Sequence, residues 1–178
     1  ERVRQVPLEQ ELLLVDDFSS DGSGEILSRL GNDADITVLT HPINSGKGVA
    51  IATGLREAIG DVVVIQDADL EYDPNDLLKL IEPIQQNIAE VVYGVRDLRS
   101  QRAIMRLGNR FLTWLTGVLY GVQLHVMETC YKMFARDVID GLHLTSNRFN
   151  IEPELTAKVL KQGLGIIEVP ISYTGRSY

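Results

Sequence analysis

Four apolar runs in this chain each end in a polar cluster. Asp16 and Asp17 follow residues 12–15, and Asn44-Ser45-Gly46-Lys47-Gly48 follows residues 36–39. Asp67-Ala68-Asp69 follows residues 62–65, and Arg96 follows residues 91–94. Any one of these is ordinary turn or cap chemistry, because Asp, Asn and Gly are favoured there. Four in succession, carrying charges of both signs, point to one shared cleft. In an open parallel sheet that cleft lies beyond the C-terminal ends of the strands.

Asp67 and Asp69 are spaced to share one cation, directly or through water. Two carboxylates are too few to satisfy a divalent ion, so magnesium or manganese would keep positions for water and for a substrate's phosphate oxygens. Such a metal suits the holding of a diphosphate leaving group, and without it the acidic cleft would repel phosphate. Glu71, two residues on, is either a third ligand or a surface charge. In the Asn44–Gly48 segment two glycines bracket Lys47 just before a helix. The glycines permit close approach of the backbone to a ligand, and the lysine and helix N-terminus favour anions. The segment is not a P-loop, which requires Gly where His41 stands and Ser or Thr where Gly48 stands. A dinucleotide fingerprint fails as well, since Leu27 occupies the place of the third glycine after Gly22 and Gly24. A receiver-domain pocket needs a lysine on a later strand, and none lies between Lys79 and Lys132. Asp67-Ala68-Asp69 imitates the nucleophile of haloacid-dehalogenase phosphatases, but it does not stand on the chain's first strand.

The elements positioning these clusters alternate. Strands are expected at residues 12–15, 36–39, 62–65 and 91–94, with the β-branched third run reading as buried on both faces. Ile26, Leu27 and Leu30 give the first helix an inward face that Gly31 ends. The next helix carries Val49, Ala52 and Ile59. Pro74 suits the first turn of a third, with Leu77, Leu78 and Ile81 on one side. This βαβα order predicts an α/β fold with a mostly parallel sheet and helices on both faces, in one domain. Residues 104–122 read as a long amphipathic helix, polar at Arg106, Arg110 and Thr113. Residues 129–134 suit a strand. Asn150 or Glu152 opens a helix with Pro153 in its first turn and Gly163 at its end. A last strand, broken by Pro170, belongs at a sheet edge.

Composition narrows the classes. The 178 residues, with 44% apolar and 24% charged, make one soluble domain. A net charge of −8 argues against binding nucleic acid, which requires a basic face. Cys130 is the single cysteine and cannot form a disulfide within the chain, so a reducing, cytoplasmic compartment is expected. No apolar run reaches the ~18–20 residues a bilayer span needs. Trp114, Phe111 and Leu115 are candidates for core packing, for contact in a homo-oligomer, or for a surface that dips into lipid.

The ordered set VDDFSSDGS (15–23), NSGKGVA (44–50), QDAD (66–69) and YGVR (93–96) resembles family 2 glycosyltransferases. Within them it is most similar to the polyprenyl-phosphate, dolichol-phosphate mannosyltransferase-like branch. METCYKMF (127–134), SNRFNIEPE (146–154) and VPISYTGRSY (169–178) extend the match over essentially the whole chain. The resemblance implies a GT-A (Rossmann-like) fold and a metal-dependent, inverting transfer of a sugar from a nucleotide diphosphate sugar. By position, Asp17 and Asp21 would lie at the nucleoside, with Asn44, Gly46 and Lys47 beside it. Asp67 and Asp69 would form the DxD motif that holds Mg2+ or Mn2+, with Glu71 where relatives place a third ligand. Arg96, Arg102 and Arg106 would face the acceptor phosphate, and Arg176 would approach the diphosphate. The family's first strand has no counterpart here, so the resemblance implies a catalytic domain that lacks it.

Three positions depart from the family pattern: Val95 replaces a usual serine, Met105 another, and Val126 a usual aspartate. The last bears on mechanism. A hydroxyl acceptor, as in polysaccharide synthesis, has to lose a proton and needs a placed carboxylate, for which Glu128 is the nearest spare one. A phosphate-monoester acceptor, with a second pKa near ~6, is already largely dianionic and needs arginines instead. Val126 and the arginine group thus favour a phosphate acceptor; the resemblance implies that this is a polyprenyl phosphate, met at the cytoplasmic face of a membrane. The substitutions also leave open a protein that binds nucleotide sugar without turning it over.

Overall fold

The structure is a computed structural model that describes residues 1–95, 130–146 and 150–175. The expected alternation is present. β1 (Leu12–Asp16), α1 (Ser23–Leu30), β2 (Ile36–Thr40), α2 (Lys47–Glu57) and β3 (Val62–Val64) follow one another. A 3-10 turn at Pro74–Asp76 leads into α3 (Leu77–Gln85), and then come β4 (Val91–Val95), β5 (Lys132–Ala135), α4 (Arg136–Asp140), α5 (Ile151–Lys161) and β6 (Ile167–Pro170). The long helix expected over residues 104–122 lies outside the described residues, with Trp114, Phe111 and Leu115 in it.

β1 and β2 pair in parallel, Leu12 opposite Ile36 through Asp16 opposite Thr40. The other strands form a four-stranded sheet in the order β3-β5-β4-β6. β4 and β6 run parallel, but β5 runs antiparallel to both β3 and β4. The α/β arrangement is as expected, yet the described ladders are mixed rather than mostly parallel. β5 lies between β3 and β4 and runs against both of them.

Position in the sheet also corrects the burial pattern. β3, though β-branched throughout, is only half-buried, because it is an edge of the four-stranded sheet. β4 is the strand buried on both faces: Val91 and Tyr93 join Phe134, Leu155 and Val159 on one side, while Val92 joins Tyr131, Met133 and Leu80 on the other. The period of two places alternate residues of β4 in separate cores.

Three helical contacts differ from expectation. In α1 Ile26 is exposed, and of the expected inward face Leu27 and Leu30 are partly covered. Ile59 lies beyond the end of α2 and is 83% exposed. In α3 the buried face is Leu77 and Leu80, with Leu78 turned outward. Pro74 does open that helical segment, and the Asp73 side chain caps it by accepting from the Asn75 amide. Asn150 immediately precedes α5 without a side-chain cap bond, Gly163 follows its end with φ +78°, and β6 forms the expected edge strand.

Candidate active site

The exits of β1, β2 and β3 are tied together by side chains of the predicted set. Asp17 does most of this. Its Oδ1 accepts the Ser45 amide at 2.8 Å and lies 2.7 Å from His41 Nδ1, and its Oδ2 accepts the Gly46 amide at 2.6 Å. The Asn44 side chain donates to the Asp17 carbonyl at 3.1 Å. Gly46 sits at φ +97°, ψ 158°, a conformation that side-chain-bearing residues avoid, and this turns its N–H toward the carboxylate. Partial burial works against the Asp17 charge, but His41 and the two amides outweigh it and hold the carboxyl below the usual range. Asp17 is therefore the clasp of the Asn44–Gly48 loop as well as a candidate for the nucleoside side. His41 extends the clasp to α2, its Nε2 lying 3.0 Å from Thr53 Oγ1. Asp16 is buried and accepts the Ser19 amide, which closes the turn after β1.

Asp21 stays within its own turn. It is exposed and accepts the Ser23 amide at 3.1 Å at the head of α1, which lowers its pKa. The described residues bring it into no contact with Asp17, Lys47 or Asp67.

The opposite wall is the exit of β3. Lys47, the first residue of α2, spans the cleft and places its Nζ 2.9 Å from Asp67 Oδ2 and 3.3 Å from Glu152 Oε1. Burial disfavours the Lys47 charge, yet the two carboxylates more than compensate and raise its pKa, so it remains an ammonium at neutral pH. The segment before Asp67 is held from β5's approach. The Asp67 amide donates to Cys130 Sγ at 3.0 Å, and the Tyr131 hydroxyl donates to Gln66 Oε1 at 2.6 Å. Burial pushes the Cys130 thiol up, which keeps it a neutral acceptor.

Asp69 accepts the Glu71 amide on Oδ1 at 3.1 Å, in a turn where Leu70 takes φ +64° and is 72% exposed. Glu71 in turn accepts the Tyr173 hydroxyl at 2.9 Å, and its carbonyl accepts the Thr174 amide at 2.8 Å. Asp76 accepts the Ser172 amide at 2.6 Å, so the chain after β6 is stitched to the segment that follows Asp69. Arg96, Arg102, Arg106, Glu128 and Arg176 lie outside the described residues.

The donor set suits a hard divalent cation. Among the described residues nothing donates to Asp67 Oδ1 or Asp69 Oδ2, so each carboxylate keeps one oxygen for a ligand. No group of three or more His, Cys, Asp or Glu side chains among the described residues is gathered to hold an ion alone. A cation here would draw its remaining ligands from substrate or water, as Mg2+ and Mn2+ commonly do.

Sequence reasoning missed Glu152, Lys132, His41 and Tyr173. One signal was available for the first two: Lys132 stands in an apolar strand (residues 130–134), where a charge requires a partner from elsewhere.

Comparison with known proteins identifies the family. The family model for glycosyl transferase family 2 matches residues 1–140. An undecaprenyl-phosphate mannosyltransferase of Micrococcus luteus is 28% identical over 98% of this chain and 76% of that protein. A UDP-N-acetylglucosamine–dolichyl-phosphate N-acetylglucosaminyltransferase of Methanococcus voltae is 27% identical over 90% of this chain and 73% of its own length. The chain spans only about half of other curated relatives, such as the 53% covered in an undecaprenyl-phosphate 4-deoxy-4-formamido-L-arabinose transferase of Pectobacterium carotovorum. In three dimensions it is similar to glucosyl-3-phosphoglycerate synthase of Mycobacterium tuberculosis, a structure with Mn2+ and UDP-glucose. The TM-score is 0.71 at 21% identity, over 94% of this chain and 62% of that one, which establishes the common fold. The chain therefore has a GT-A fold, belongs to glycosyl transferase family 2, and is a glycosyltransferase.

Proposed function

We propose that the chain is one catalytic domain that moves a sugar from a nucleotide diphosphate sugar to a polyprenyl phosphate, with inversion and with Mg2+ or Mn2+. The observation that carries this reading is the β3 exit, where Asp67 and Asp69 each keep a carboxylate oxygen available beside the Lys47 ammonium. Relatives named for transfer to undecaprenyl or dolichyl phosphate support the acceptor class.

In this reading Asp67 and Asp69 hold the cation, with Glu71 as a third candidate, and the chemistry a bound cation supplies is neutralisation of charge on the departing diphosphate. Lys47 and the N-terminus of α2 favour the same phosphates from the opposite wall. Asp17, Asp21, Asn44 and Gly46 shape the nucleoside side. Arg176 approaches the diphosphate in this reading, and the Tyr173 hydroxyl donates to Glu71. Arg96, Arg102 and Arg106 hold the acceptor phosphate. A phosphate oxygen attacks the anomeric carbon from the side opposite the diphosphate; the carbon–oxygen bond to the diphosphate breaks and the configuration inverts. The acceptor brings its own negative charge, so Glu128 has no proton to remove and the change at Val126 is tolerated. Positioning of the two substrates provides the rest of the acceleration. A lipid-linked acceptor puts the reaction at a membrane surface, which we place on the cytoplasmic side. No helix among the described residues is long and apolar enough to cross a membrane.

The test uses purified protein with labelled UDP- and GDP-sugars, a polyprenyl phosphate or a sugar acceptor, and Mn2+ before and after chelation. The expected result is chelator-sensitive transfer to the lipid phosphate, abolished together with donor binding in Asp69→Ala. Metal-dependent transfer that survives in Asp69→Ala would remove the cation assignment, and transfer to the sugar hydroxyl alone would remove the acceptor.

A further inference from the structure

Lys132 and Glu152 belong to no role derived so far, yet they connect the interior to the cleft. Lys132 is fully buried in β5, with its Nζ 5.1 Å from the centre of the Tyr93 ring. Its ammonium is paired with Glu152 Oε2. Glu152 sits in the first turn of α5, and its other oxygen faces Lys47 Nζ at 3.3 Å. Lys47 then reaches Asp67 at 2.9 Å. The result is a row of alternating charge from the core to the cleft: Lys132, Glu152, Lys47, Asp67.

A counter-ion for Lys132 alone would need only one carboxylate oxygen. Here the second oxygen is directed at a lysine that already has a partner. Lys side chains have four rotatable torsions and hold a single geometry only when gripped from more than one side. One face of the Lys47 ammonium is held by Asp67 and another by Glu152, which itself is fixed by a residue that cannot move out of the core.

We infer that Glu152 is a positioning residue of the cleft: anchored by Lys132, it holds the Lys47 ammonium against one oxygen of Asp67 and leaves the other oxygen presented to a cation. This rests on the reading of Asp67 as a cation ligand. Without Glu152 the ammonium has only the cleft carboxylates to pair with, and it competes there with the cation. Residues that orient a metal's ligands typically set affinity by about 10–100-fold.

The single variant Glu152→Gln takes the paired carboxylate from the fully buried Lys132 and is at risk of misfolding, so the informative variant is the double Lys132→Met/Glu152→Gln. It removes one charge of each sign and leaves the net charge unchanged. Mn2+ affinity is read by electron paramagnetic resonance of the free ion, in the presence of UDP and separately of GDP. Lys47 exposure is read by its rate of acetylation, located by mass spectrometry, and folding by the thermal midpoint. The expected result is a folded double variant that binds Mn2+ about tenfold more weakly and acetylates Lys47 severalfold faster than wild type. A folded double variant with wild-type Mn2+ affinity and wild-type acetylation overturns the inference alone. A wild-type protein that takes up no Mn2+ with either nucleotide overturns the reading of the cleft and this inference with it.

Discussion

Asp17→Asn isolates the clasp that closes the loop before α2. The carboxylate accepts from two backbone amides at 2.8 and 2.6 Å and from His41 at 2.7 Å. A carboxamide has one accepting oxygen. If that oxygen keeps Ser45 and His41, the amide nitrogen faces the Gly46 N–H, donor against donor. A hydrogen bond to a charged acceptor contributes about 1.5–3 kcal/mol and a neutral one about 1, so the variant loses one bond and weakens two. With the Asp17 side chain 18% exposed, water recovers part of the loss. The net expectation is a destabilisation of about 2 kcal/mol, or about 1 M in urea midpoint at an m-value near 2 kcal/mol/M. The sign of the pH dependence follows from the depressed pKa of Asp17. Its contribution is complete above the unfolded value of about 3.9 and is lost as pH falls through the lower folded value. The stability gap between wild type and Asp17→Asn should thus be constant from neutral pH down to about 5 and narrow in acid. Urea denaturation of both proteins across that range decides the matter. Equal midpoints at pH 7, or a gap that persists undiminished at the lowest pH where both fold, would refute the clasp.

Gly94→Ala puts a Cβ 2.7 Å from Ile171 Cδ1 and 3.0 Å from Tyr131 Cβ, so thermal unfolding should show a loss of about 1–3 kcal/mol from overpacking between β4 and the chain after β6. Asp76→Asn weakens the bond from the Ser172 amide and the pair with Lys79; because burial is outweighed there and the Asp76 pKa is lowered, wild type should lead the variant above the ordinary carboxylate range and converge with it in acid, as read by chemical denaturation. Tyr93→Phe removes the buried hydroxyl 3.0 Å from Thr156 Oγ1, but Thr156 also donates to the Glu152 carbonyl, so the cost in unfolding free energy should stay near ~1 kcal/mol.

Much of the site was legible locally. Pro74, Gly31 after Leu30 and Gly163 after Lys161 act within a few residues, and each bounds a helical segment where the pattern placed it. The strand ends that carry Asp17, Lys47 and Asp67 were readable for the same reason: apolar runs and turn residues are short-range signals. Misjudged positions share another cause. The composition of β3 resembles that of a central strand, yet its burial depends on β5, a segment some 70 residues away that pairs on one side only. Ile26 and Leu78 fit a helical period equally well, but which arc of a helix is covered depends on the sheet beneath it.

The amino-acid order alone determined the alternation of elements, their caps, and the gathering of carboxylates and a lysine at successive strand ends, because these follow from periodicity of two or 3.6 and from turn chemistry. Tertiary structure decided what those groups touch. The reach of Lys47 to both Asp67 and Glu152, the grip of Asp17 on the Ser45 and Gly46 amides, and the tie from Tyr173 to Glu71 join residues 20 to 105 positions apart. Such pairings arise only once strand order and direction have brought the elements side by side, and β5, running against both of its neighbours, delivers Cys130 and Tyr131 to the Gln66–Asp67 segment and Lys132 to Glu152.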